Sequence, residues 1–230
     1  MSLSKLGLLA LAATFTVGAV SAHADSLTLG DAGQSMSFLF DGDHGNGAGG
    51  NFDPSSAVIG GKTVNFSAVY CVDLNHFIND NSSFNGVTFT TNGVVNGSTV
   101  NNAADIAWLI LNTTVTNDTQ EAGLQAAIWA TEYGSHFTLL TGGSVASDET
   151  ADLSALGHAT VSSSLVSQLD WITPPATSDG QGWGDDRETV DQQGLVGLPD
   201  PPAVPEPATL SLFGTGLLGL AGIVRRRLSA

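Results

Sequence analysis

Cysteine is nearly absent from this chain of 230 residues: Cys71 is its one thiol. A disulfide within the chain is therefore excluded, as is a cysteine-rich zinc site. Basic residues are scarce too, six Lys and Arg against 22 Asp and Glu. Every acidic residue except Glu206 lies within residues 25–203, where the only lysine or arginine side chains are Lys62 and Arg187. Such a surface repels nucleic acid and anionic lipid headgroups, so neither is expected as a partner. A coat that keeps the protein soluble accounts for the acidity without a bound cation. Internal repeats, a phosphate-binding loop and a nucleophile-elbow motif are also missing, and nothing in the sequence asks for a cofactor.

What the chain does have is an apolar run near each end. Lys5 leads into the run 6–20 and then into Ala22-His23-Ala24. A single early cation, a run of this length and a small-residue ending mark residues 1–24 as a secretory signal cleaved before Asp25, rather than a first core helix. At the other end Val204-Pro205-Glu206-Pro207 precedes the uncharged stretch 208–224 and the cluster Arg225-Arg226-Arg227. That stretch reaches the lower limit of ~17 residues for crossing a bilayer. The arginines would hold its end on the cytoplasmic side, and so abrupt a basic stop argues against a buried core helix.

The order Pro-Glu-Pro, Gly-rich apolar helix, arginine cluster resembles the PEP-CTERM sorting signal of Gram-negative bacteria. The resemblance covers residues 204–230. It implies an exosortase-type sorting enzyme as partner and passing attachment to the inner membrane. Delivery to the cell surface, outer membrane or extracellular matrix would follow. It supplies an address and no activity.

Between the ends, Gly is abundant and Asn, Thr and Ser crowd the gaps between apolar runs, the pattern of short strands and turns. Residues 25–172 are expected to form a mainly β domain, a sandwich or barrel, with a small helical insertion near 102–134; the class is α+β overall. The Pro- and Gly-rich segment 173–203 reads as loop and stalk. The acidic, Gly-rich stretch 41–53 supplies oxygen ligands, but Gly45 and Phe52 stand where a helix–loop–helix calcium site needs ligands. A solvated turn is expected there.

A lone cysteine in an exported protein is a buried spectator, half of an intermolecular bond, or a thiol with chemistry. Val64, Phe66, Ala68 and Tyr70 alternate with Asn65, Ser67, Val69 and Cys71. A strand here would put Cys71 opposite Tyr70 and on the more polar face. Downstream, Asp118 and Glu121 resemble a capping box and Gly134 suits a helix stop, so a helix is predicted over 119–133. It carries Gln125 within the apolar stripe that includes Leu124, Ile128 and Trp129. A buried amide must find partners, and a neighbouring backbone group would serve. The segment 103–111, with Ile106, Leu109 and Ile110 at helical spacing, is its expected packing partner.

Tyr70-Cys71-Val72, the helix over 104–111, and Leu124-Gln125-Ala126-Ala127-Ile128-Trp129 together resemble the thioester domains of bacterial surface adhesins. Those domains carry an aromatic-Cys motif on a strand and a Gln-x-Ala-Ile-Trp motif on a helix. Leu124 departs from the small polar residue common before the glutamine. The resemblance implies a bond between the Cys71 sulfur and the Gln125 side-chain carbonyl, formed with loss of ammonia. A partner amine, such as a protein lysine, would then attack that carbonyl once, without turnover. Tyr70, Ile128 and Trp129 would shield the bond from water. His76, Asp73 and Glu132 are the nearest candidates for a base.

Two other readings stay open. A non-covalent matrix protein needs neither group to react. A cysteine hydrolase would use Cys71 with His76, His136 or His158, although no local signature supports it.

Overall fold

The structure is a computed structural model and describes residues 24–176 and 192–201. The expected leader, apart from Ala24, the sorting tail 204–230 with its membrane helix 208–224, and Arg187 lie outside these residues. Among the described residues no helix is long and apolar enough to cross a membrane.

Nine strands come first: β1 (Ser26–Thr28), β2 (Asp31–Phe40), β3 (Asp43–Asp53), β4 (Ser55–Ile59), β5 (Lys62–Cys71), β6 (Ser83–Asn85), β7 (Thr88–Thr90), β8 (Val94–Val95) and β9 (Ser98–Thr99). Helices α1 (Ala103–Asn112) and α2 (Asp118–Tyr133) follow, then β10 (Phe137–Leu139), α3 (Ser144–Gly157), β11 (Asp170–Thr173) and β12 (Leu195–Pro199). The main sheet has seven strands in the order β6-β1-β4-β5-β12-β11-β7, and a second sheet has the order β10-β2-β3. The chain is thus β-rich α+β, with the main sheet curled into a half-barrel. Its ends, β6 and β7, do not pair with each other, so the barrel is not closed.

Two sequence readings are corrected here. The loop-and-stalk reading of 173–203 fails at Leu195–Pro199, which form β12 between β5 and β11, in the middle of the sheet. Alternating apolar residues after Gly194 are the physical reason: Leu195 and Val196 bury on opposite faces of the sheet, and a stalk would leave both in water. The stretch 41–53 is not a loop but the turn of a long hairpin and its second strand. Asp41 and Gly42 take φ of 53° and 91°, the left-handed pair that a tight two-residue hairpin requires.

Strand β5 runs between two apolar cores. Cys71, Leu195 and Ile172 stand side by side across β5, β12 and β11 and enter one core; Tyr70, Val196 and Trp171 stand side by side and enter the other. Cys71 is opposite Tyr70, as the alternation requires, but its face is not polar. The register slips between Ala68 and Phe66 opposite Leu198 and Pro199, so no β12 residue stands opposite Ser67 in the register, and its hydroxyl donates to the Leu198 carbonyl instead. The bulge reverses the alternation, and Phe66 joins Val69 and Cys71 in one core. An unbroken period of two over 64–71 cannot foresee this.

Helix α2 is buried all along one stretch, from Ala122 to Trp129. It serves both cores, giving Ala122, Ala126 and Trp129 to the first and Leu124, Ala127 and Ile128 to the second. Its cap is Asn117, whose side chain accepts from the Gln120 N–H at 3.1 Å, one residue before the expected Asp118. Gly134 ends it with φ of 56°. Helix α1 packs on α2 as expected, while α3, also packed on α2, was not foreseen.

Candidate functional site around Cys71

Strand β4 pairs with β5 only as far as Phe66, so the last residues of β5 have an open edge on that side. Two side-chain amides continue the ladder. Asn51 of β3 accepts from the Val69 N–H at 2.7 Å and donates to the Ser67 carbonyl at 3.4 Å. Gln125 does the same one step further: its Oε1 accepts from the Cys71 N–H at 2.9 Å and its Nε2 donates to the Cys71 carbonyl at 2.8 Å. A buried amide normally needs such partners on both ends, and Gln125, 1% exposed, has them. The glutamine on α2 is thereby clamped to the backbone of the single cysteine.

The thiol points elsewhere. Cys71 Sγ donates to Gln193 Oε1 at 3.1 Å, and Gln193 Nε2 donates to the Asp73 carbonyl. The Gln193 N–H in turn donates to the Phe77 carbonyl at 3.2 Å. Gln193 was missed by sequence reasoning because it precedes a strand taken for stalk; the signal was the run Gly194-Leu195-Val196 directly after it. Burial, and then the nearby Asp73 carboxylate, pushes the Cys71 thiol well above its ordinary range.

Asp73, two residues on, is itself buried. Its carboxylate accepts from the Asn75 N–H at 2.8 Å, from Asn96 Nδ2 at 2.9 Å, and pairs with His76 Nδ1 at 2.5 Å. Glu132 lies across a cavity from Asp73; burial, then the Asp73 charge, raises its carboxyl to about 9. His76, Asp73 and Glu132 thus line one cavity, which sequence alone did not establish, and Cys71 is not part of its lining. Cys71, His76, Trp129 and Gln193 line a separate cavity of about 220 Å³. The other expected shielding residues are not there: Tyr70 and Ile128 belong to the second core. His136 is remote from this site, exposed and paired with Asp41 at 2.5 Å, and His158 is the exposed residue that ends α3. Among the described residues no cluster of His, Cys, Asp and Glu could hold a metal ion.

The comparisons speak to the other end of the chain. Residues 203–227 match the PEP-CTERM protein-sorting motif. The match spans Pro205, Glu206, Pro207 and Arg225 to Arg227, and it supports an exported protein handled by an exosortase-type enzyme and sorted toward the surface of a Gram-negative cell. The PEP-CTERM segment includes no residue of the site around Cys71. No curated protein and no solved structure matches the chain.

Proposed function

We propose that this exported protein stores an internal thioester between Cys71 and Gln125 and uses it once, to capture an amine on a surface or matrix partner. The observation that carries the reading is the clamp: the Gln125 carbonyl accepts a hydrogen bond from the N–H of the same residue whose thiol would attack it. That N–H polarises the carbonyl and would hold negative charge on Oε1 as sulfur adds to carbon. The carbon–nitrogen bond then breaks, the thiol proton leaves with the nitrogen, and ammonia departs from the site. The product keeps an acyl carbon bound to sulfur, a far better leaving group than an amide nitrogen.

Capture runs in the opposite sense. The amine nitrogen adds to the same carbon, the carbon–sulfur bond breaks, and the amine gives a proton to sulfur. An amide joins the partner to Gln125 and the free Cys71 thiol returns. Holding both groups on rigid elements supplies the proximity that the reaction needs. Burial of Cys71 and Gln125 keeps bulk water from the bond.

A raised thiol speaks against hydrolysis by a poised thiolate. A turnover cysteine works through a lowered pKa, whereas burial and the Asp73 carboxylate raise this one. Intact mass of freshly purified protein tests the reading. A thioester leaves the chain lighter by one ammonia, resistant to alkylation, and able to gain methylamine. Full mass with an alkylatable Cys71 would leave a sorted protein whose binding is non-covalent.

A further inference from the structure

Two glutamines converge on Cys71, and only one can become the acyl partner. Gln125 meets the backbone of Cys71 through both ends of its amide, while Gln193 meets the sulfur. Gln193 is 8% exposed and is held in place from two sides, by its Nε2 on the Asp73 carbonyl and by its N–H on the Phe77 carbonyl. Its oxygen therefore stays beside sulfur whatever happens to the thiol. Once sulfur is acylated the S–H is gone, and that buried oxygen loses the donor it now has. An acceptor left in this state draws in the next available N–H or O–H.

Resting on the thioester reading, we propose that Gln193 is the residue that receives and orients the incoming amine. The approach is the cavity of about 220 Å³ beside Cys71, whose walls set Phe38, Phe52, Leu74 and Trp129 among the polar Asn46, His76, Asn79 and Asp80. The apolar part of the lining suits a methylene stem, and the fixed acceptor suits the nitrogen at its tip. The favoured substrate is then a primary amine on an unbranched alkyl chain, as on a lysine side chain. One N–H of the neutral amine donates to Gln193 Oε1, which sets its lone pair toward the Gln125 acyl carbon beside sulfur. The second N–H supplies the proton that sulfur takes as the carbon–sulfur bond breaks. Water can donate to the same oxygen but gains nothing from the apolar part of the lining, so Gln193 and Phe38, Phe52, Leu74 and Trp129 together bias the bond toward amines.

The test uses the full chain, purified in detergent, as wild type, Gln125→Ala, Gln193→Met and Gln193→Glu. Methionine keeps the bulk and removes the acceptor; glutamate in its neutral form keeps an acceptor oxygen and donates its O–H to the Asp73 carbonyl in place of Nε2. Each is followed by intact mass for ammonia loss, then for the division between butylamine capture and hydrolysis. Gln193→Met is expected to form the thioester and to lose about tenfold in capture relative to hydrolysis, the scale of one hydrogen bond. Gln193→Glu should recover much of that loss, which a purely structural role would not produce. An unchanged division in Gln193→Met overturns the proposal while the thioester stands. Ammonia loss that survives in Gln125→Ala and vanishes in Gln193→Met also overturns it, because Gln193 would then be the acyl partner. Wild type at full mass removes both the proposal and the reading beneath it.

Discussion

Tyr70 and Cys71 are neighbours on one strand, and the two cores they enter are put together differently. On the Tyr70 side, Ile106 and Leu109 of α1, Leu124 and Ile128 of α2, Val196 and Trp171 are apolar and fully or almost fully buried. On the Cys71 side the same depth holds Gln125, Gln193 and Asp73, each buried and each tied into hydrogen bonds around the thiol. Burying amides and a carboxylate stabilises little unless every group is satisfied, whereas apolar burial stabilises without condition. The strand thus separates a core of almost wholly apolar side chains from a second, larger apolar core that also admits a polar cluster around the thiol. A second contrast follows: substitutions in the Tyr70 core should act on stability, and those in the polar cluster around the thiol on chemistry.

Cys71→Ala should sharpen that contrast most. It removes ammonia loss and amine capture completely; against wild type whose thioester methylamine has opened, it costs stability only about 1–3 kcal/mol, the penalty of leaving the Gln193 oxygen without its donor. Mass spectrometry of the variant after methylamine, beside a thermal melt, reads both at once. Leu109→Ala on the opposite side should do the reverse. Leu109 is fully buried, and the cavity left behind should cost roughly 2–5 kcal/mol. Below its lowered melting temperature the variant should still lose ammonia. Loss of the thioester in folded Leu109→Ala would show that the two sides are not separable.

The separation was only partly legible in the sequence. Helices α1 and α2 announced themselves through 3.6-residue spacing, an acidic first turn and Gly134, because those signals are local. The strand through Cys71 was legible for the same reason, but its polar face was not real: the bulge at Ser67 is fixed by pairing with β12, far along the chain. Gln193 was invisible for a related reason. Its position depends on β12 inserting between β5 and β11, and such non-local pairing leaves little mark on a segment rich in Pro and Gly. The resemblance to thioester domains singled out Cys71 and Gln125, which the structure brings together. It also implied shielding by Tyr70 and Ile128, which sit in the other core, and by Trp129, which does line the thiol's cavity.

A smaller effect comes from the contact that fixes α2 between the two sides. A Cβ on Gly123 would stand 2.5 Å from the Asp148 Cβ and 3.1 Å from the Glu149 N on α3. Neither partner can swing away, since one is the root of its side chain and the other is backbone. Gly123→Ala gains up to about 1 kcal/mol in helix propensity. Overpacking at such a contact costs roughly 1–3 kcal/mol, so the net is a modest loss of stability, read by chemical denaturation. A gain would mean that α3 can move off α2 freely.

The last effect depends on pH and tests whether polar burial beside Asp73 is a standing cost. Glu132 has a side-chain oxygen, Oε2, buried without a partner, and its carboxyl is raised to about 9 from 4.5 by burial and then by Asp73. The unfolded chain releases that proton near 4.5, while the folded chain keeps it up to about 9. Folding therefore takes up a proton between these values, and stability falls as pH rises through that window, then levels off above it. Glu132→Gln replaces the titrating group with a neutral one of the same shape and removes the slope. Parent and variant should melt close together near the bottom of the window. Toward its top the variant should be more stable by several kcal/mol, since each unit by which the carboxyl is raised is worth about 1.4 kcal/mol. Melts of the two proteins across that range decide it. Parallel curves would mean that water reaches Glu132 and that its burial costs the fold nothing, so that the edge beside Asp73 behaves as ordinary surface.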